Sequence, residues 1–197
     1  FYMLVIFPGT YLYRQAEQKK LICDDAWQQK IEDIPWFKLD PALDFKTVKA
    51  FGETLRGSFY THVHDFAASI SLVDNKELYP FHADFLSKIA MTFSHGEYAN
   101  HPRVKNTEET ALLLFQKALD YAPHPRAYLG LGMLMLKQRK FSDASNFLKQ
   151  GLDNFPDHID LNVGMGVCLM NLGQFKNALT LFEPFGHLDH IRQYITV

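Results

Sequence analysis

The sequence predicts an all-α fold of repeated helical hairpins, an α-solenoid, with a short strand–turn–helix at its N-terminus. Three observations carry this reading. Similar residues recur 34 positions apart in the second half of the chain, small residues hold fixed places within that period, and prolines follow alternate helices.

The period emerges when PRAYLGLGMLMLKQRKFSDASNFLKQGLDNFPD is set against IDLNVGMGVCLMNLGQFKNALTLFEPFGHLDH. Gly132 aligns with Gly166, Phe141 with Phe175, Ala144 with Ala178 and Leu148 with Phe182, each 34 residues on. Upstream, Ala111, Phe115, Ala118 and Pro123 match Ala144, Leu148, Gly151 and Pro156 at a spacing of 33. A helix–turn–helix unit of this length and residue pattern resembles the tetratricopeptide repeat, over residues 107–185.

Each recurring residue has a physical task. The small side chains at 132, 144, 166 and 178 let the two helices of a pair approach closely. Large apolar residues at 128, 141, 148, 175 and 182 are expected to fill the space between successive pairs. Pro123 and Pro156 stop the second helices, because proline lacks the N–H and clashes with the preceding turn. The stretches 122–125 and 154–157 are then inter-repeat turns.

A single repeat cannot bury its apolar face, so the helix beginning near residue 107 needs a first-helix partner. That partner falls within 78–93, where Phe81, Phe85, Leu86, Ile89 and Phe93 recur at helical spacing. Residues 94–106 become an enlarged loop, and 187–195 a short capping helix. The expected divisions are 1–45, an N-terminal segment and linker; 46–106, a helical linker with a degenerate first repeat; and 107–197, the repeats and their cap.

In tetratricopeptide folds the first helices line a concave face. The resemblance places Arg126, Leu129, Met133, Leu136 and Lys137 on that face from one repeat, and Asp160, Val163, Val167, Met170 and Asn171 from the next. The set is mainly apolar, unlike the basic clamps that hold acidic peptide termini. It suits an amphipathic helix of a partner protein or a packed neighbouring domain, or else cover by the chain's own flanking helices.

Composition narrows the classes of function. The 197 residues are 47% hydrophobic and 21% charged, enough to bury a core, and the net charge of −2 gives no electrostatic reason to expect nucleic acid. No apolar run reaches membrane-span length. Cys23 and Cys168 form neither a disulfide framework nor a metal-ligand spacing, which points to the reducing cytoplasm. The apolar opening lacks the flanks of a signal peptide, and with no initiator Met the chain reads as cut from something longer.

The N-terminal run YMLVIFPGTYLY reads as strand, tight Pro8-Gly9-Thr10 turn and helix. With FPGTYLYRQAEQKKLI, CDDAWQQ and FGETLRGSFYTHVHDFAASI, residues 3–93 resemble the barrel end and following helix of cobalamin-dependent radical S-adenosylmethionine proteins, including anaerobic Mg-protoporphyrin IX monomethyl ester cyclase-like members. The resemblance implies a parent enzyme (an iron–sulfur oxidoreductase, cyclase or methyltransferase) with a [4Fe–4S] cluster, S-adenosylmethionine and cobalamin. This chain would be its C-terminal, non-catalytic docking region, with residues 1–45 the barrel's tail and linker. Pro8, Gly9 and Thr10 would lie near the S-adenosylmethionine pocket of the intact parent. Neither the C-x3-C-x2-C cluster motif nor an Asp-x-His-x-x-Gly cobalamin motif is in this sequence, so no catalytic residue or cofactor is assigned to the chain itself. The alternative is a stand-alone adaptor that binds a peptide or helix.

Other constellations carry less. His62 and His64 could share a metal only on an extended segment, whereas their surroundings are helical. His187 and His190 share a helical face but have no third ligand nearby in sequence. Asp24 and Asp25 suit a helix start, with Trp27 packing inward. GETLRGS lacks the Lys-Ser/Thr ending of a phosphate loop. Trp36, Phe37, Phe45, Phe51, Phe59 and Tyr60 are expected in a core.

Overall fold

The computed structural model describes residues 7–22, 24–28 and 44–195. Among the described residues every regular element is helical. The strand expected at the opening lies outside the described residues, as do Trp36 and Phe37. The chain divides into two compact units, Phe1–Tyr60 and Thr61–Val197.

In the first unit, Gly9 takes the left-handed φ of +87° that a tight turn requires. Thr10 closes the turn by donating its hydroxyl to the Phe7 carbonyl at 2.8 Å. The same oxygen accepts the Tyr13 N–H at 3.3 Å, capping α1 (Tyr11–Gln18). Tyr13, Ala16 and Ile22 form a small core, against which Trp27 of α2 (Asp25–Gln28) packs. Asp25 opens α2, but the Asp24 carboxylate serves Tyr13, whose hydroxyl donates to it at 2.5 Å. That hydrogen bond, aided by burial, pushes the Tyr13 hydroxyl up to about 12.

Helix α3 (Phe45–Ala68) is capped by the Asp44 carboxylate, which accepts the Thr47 N–H at 2.7 Å. Its aromatic residues depart from expectation: Phe45, Phe51 and Phe59 are exposed and Tyr60 is half-buried. Apolarity alone names core candidates; an opposing face must exist before they can be buried.

The second unit contains three stacked helical hairpins. A 3-10 turn (Lys76–Leu78) leads into α4 (Tyr79–Ser94), which pairs with α5 (Thr107–Tyr121). Next, α6 (Pro125–Lys137) pairs with α7 (Phe141–Asn154), and α8 (Ile159–Asn171) with α9 (Phe175–Phe182). A second 3-10 turn (Glu183–Phe185) and the one-turn α10 (Asp189–Arg192) follow. Successive pairs meet where α6 packs on α4 and α5, and where α8 packs on α6 and α7. His187 lies in the turn before α10, so His187 and His190 do not share a helix as the sequence suggested.

The hairpins repeat in chemistry as well as spacing. Arg139 and Gly173, 34 residues apart, take left-handed φ values of 58° and 74° after α6 and α8. Each is followed by a six-to-one hydrogen bond, Lys140 N–H to Met135 O and Gln174 N–H to Leu169 O, both 2.8 Å. Together with the bonds from Arg139 to Leu136 and from Gly173 to Met170, these satisfy carbonyls that a helix end leaves orphaned. Pro80 and Pro125 sit in the first turns of α4 and α6, where a missing N–H costs nothing.

The small residues enforce contact. A Cβ on Gly132 would stand 2.6 Å from Leu148 Cγ, and one on Gly166 would enter the Phe182 ring. Gly130, which recurs 34 residues on as Gly164, lies against the Phe115 ring and seats α6 on α5. Leu86, Phe93, Leu114, Phe115, Leu131, Leu134, Leu148 and Leu161 are fully buried. At roughly 1.5–3 kcal/mol each, such side chains dominate the stabilisation of the stack. Two expectations fail here. Phe81 and Phe85 are 70% and 45% exposed, because α4 buries the stripe Ala83–Leu86–Ala90–Phe93 instead. Phe175 is also exposed, despite its alignment with Phe141.

Candidate functional site

The residues expected on a concave face come from α6 and α8, adjacent helices that pack on each other. Their side chains lie about one turn apart, so 126, 129, 133, 136 and 137 follow one stripe of α6, with 160, 163, 167, 170 and 171 on α8. Leu129 and Leu136 are half-buried and Met133 is exposed. Leu129 reaches α8, where a Cβ on Gly164 would stand 3.2 Å from Leu129 Cδ1.

The α8 side is already partly covered. Val163, Val167 and Met170 pack against a cluster of Ala178, Phe182 and Ile191, contributed by α9 and α10. Asp160 is exposed, and Asn171 donates to the Val167 carbonyl of its own helix at 2.9 Å. The open apolar surface therefore narrows to the α6 stripe around Met133.

Both basic residues of the face are engaged within the chain. Arg126 donates to Asp84 of α4 at 2.7 Å, and Lys88 pairs with the other oxygen of that carboxylate at 2.7 Å. Lys88 first and Arg126 next pull the Asp84 carboxyl down to about 2. Lys137 pairs with Glu108 of α5 at 2.6 Å, and Gln138 donates to the same group at 3.2 Å. Lys137 and then Gln138 hold the Glu108 carboxyl below its ordinary range. Two neutralised cations make a poor clamp for an acidic terminus, since a ligand carboxylate would have to displace a carboxylate already in place. Asp84 and Glu108 carry no local signal; their pairing spans 42 and 29 residues of sequence and appears only on folding.

His124 and His158 stand at the start of α6 and α8, one period apart, each with Nδ1 buried and unpartnered. Burial first, then the Arg126 charge, keeps the His124 imidazole below its ordinary pKa. Asn162, also missed by sequence reasoning, donates to the carbonyls of Pro156 and His158 at 2.8 and 3.1 Å and fixes the turn into α8. His62 and His64 both lie on α3; His64 Nε2 approaches Asp65 at 3.4 Å. No group of three metal-ligating side chains stands together among the described residues.

Pro8, Gly9 and Thr10 form an exposed turn whose polar side chain is spent on the α1 cap. A [4Fe–4S] cluster needs several cysteine thiolates, and two distant cysteines do not fit it. The Cys168 thiol, pushed up by burial, donates to the Phe141 carbonyl at 3.3 Å.

These hairpins, with glycines seated under leucine and phenylalanine one period apart, set the terms for comparison with known proteins. The tetratricopeptide repeat model matches residues 135–184. The matched repeat runs from the last turn of α6 through α9, the segment with the most regular 34-residue spacing. No curated protein and no solved structure matches the chain. Nothing in these comparisons links it to a radical S-adenosylmethionine or cobalamin enzyme. The tetratricopeptide repeat suggests a protein-interaction role. Among the described residues no helix is long and apolar enough to cross a membrane.

Proposed function

We propose that this chain is a docking module that receives an apolar helical face of a partner protein on its concave side. The observation that carries the reading is the pairing of Arg126 with Asp84 and Lys137 with Glu108, which leaves Leu129, Met133 and Leu136 as the unspent recognition chemistry. The reading assigns no catalysis and no cofactor to the chain, and it places the chain in the cytoplasm. Selection of helical peptides on the wild type, repeated with Met133→Glu, tests it. Met133 is exposed, so the substitution leaves the fold standing. Apolar-faced peptides that lose at least tenfold in affinity are the expected result. Undiminished binding to the variant overturns the groove assignment.

The larger setting we propose is the C-terminal region of a cobalamin-dependent radical S-adenosylmethionine protein, with the partner being that enzyme's own core. The capped Pro8-Gly9-Thr10 turn followed by α1 supports this reading over the stand-alone adaptor, because it is the turn–helix part of the pattern the resemblance rests on. Pro8, Gly9 and Thr10 would then approach the S-adenosylmethionine site of the whole protein, while the cluster and cobalamin would be held elsewhere. Sequencing the gene upstream of the Phe1 codon is the test. A C-x3-C-x2-C motif in frame is expected, and a gene that encodes none supports the adaptor instead.

A further inference from the structure

Because the repeats are related by a 34-residue translation, a surface covered in one repeat shows what fits the equivalent surface of the next. On α7, Phe141, Ser145 and Leu148 form one face, and α8 covers it. Cys168 donates its thiol to the Phe141 carbonyl at 3.3 Å, the Ser145 hydroxyl meets Met165 Sδ at 3.8 Å, and a Cβ on Gly164 would stand 3.1 Å from Leu148 Cδ2. Adding 34 to each position gives Phe175, Leu179 and Phe182 on α9.

Only part of that second face is covered. Phe182 is buried, stacked on Tyr194 with ring centroids 5.0 Å apart and clustered with Ile191. The covering segment is the one-turn α10 and the turn after it, which reach the C-terminal end of α9. Towards the N-terminal end, Phe175 and Leu179 remain 65% and 38% exposed. Their counterparts Phe141 and Ser145 are half-buried. An apolar strip is thus left open where the repeat's own geometry places a first helix.

We propose that the Phe175–Leu179 strip of α9 docks an α-helix of the character of α8. The occupant runs antiparallel to α9, as α8 runs to α7, with a small or thiol-bearing residue over Phe175 and an unbranched apolar residue over Leu179. Continuity with the α7–α8 interface specifies this chemistry: Cys168 faces the start of α7 and Met165 lies one turn earlier on α8. The strip shares no residue with the α6–α8 concave face, so the two docking surfaces can succeed or fail separately.

The probe is a soluble helical peptide that keeps Leu161, Gly164, Met165 and Cys168 in register and carries Glu and Lys at the remaining positions. It is titrated into the full chain under reducing conditions and followed by fluorescence anisotropy. Phe175→Lys and Leu179→Glu change exposed side chains, and circular dichroism confirms that each variant melts as the wild type does. Saturable binding is expected, weakened at least tenfold by either substitution and unchanged by Met133→Glu or by Phe81→Lys on α4. No saturation, or equal binding by the α9 variants, overturns the proposal. Sedimentation velocity covers the competing occupant: self-association that Phe175→Lys abolishes assigns the strip to a second copy and overturns the helix reading.

Discussion

Arg126 of α6 holds the carboxylate of Asp84 on α4 at 2.7 Å, and Lys88 shares that carboxylate from one turn along α4. The contact joins the first helices of two successive hairpins. Asp84→Asn removes the charge while keeping the shape. The variant is expected to melt below the wild type at neutral pH and to match it near pH 2. The sign follows from linkage. Asp84 titrates at about 2 in the fold, against about 4 in an unfolded chain, so its contribution is complete above about pH 4. It is lost as the pH falls towards 2. A gap between the two melting temperatures that persists at pH 2 contradicts the assignment.

Gly132→Leu tests the register of the hairpins. The site has no room, since a Cβ alone would come within 2.6 Å of Leu148 Cγ. Overpacking is expected to cost about 1–3 kcal/mol and to lower the thermal melting midpoint. Ala144→Trp, at a fully buried position of the facing helix α7, acts in the same direction. Unchanged melting of both variants is incompatible with this packing.

The two left-handed helix ends respond oppositely to substitution. Gly173→Ala places a Cβ in a φ of 74°, which costs about 1 kcal/mol although nothing lies within 4 Å of that Cβ. Arg139→Gly relieves the same penalty at a φ of 58° and is expected to stabilise by about 0.5 kcal/mol, net of the added chain entropy. Denaturant titration measures both, and equal signs for the two changes rule out the shared cap.

Anaerobic reconstitution with iron and sulfide is expected to give this chain no stoichiometric visible chromophore. Its two cysteines are 145 residues apart, and Cys168 is buried and bonded to the Phe141 carbonyl. Specific absorbance at stoichiometric iron overturns that expectation.

The hairpins are legible in local spacing alone. The 34-residue spacing of Gly132 and Gly166, of Ala144 and Ala178, and of Leu148 and Phe182 records contacts made within each pair, so it is legible without coordinates. The proline stops, the placement of α4 as the partner of α5, and the cap near residue 190 follow from the same local logic. Tertiary structure alone decided which apolar and charged residues remain available. Phe141 and Phe175 hold the same repeat position, yet a following helix covers the first and not the second. Phe81 and Phe85 share a helix with Leu86 and Phe93, yet only the latter two are buried. Arg126 and Lys137 look like free cations in sequence, and folding hands each a carboxylate from an earlier helix. Periodicity specifies the face that a residue occupies. The presence of a neighbour on that face depends on segments far away in the chain.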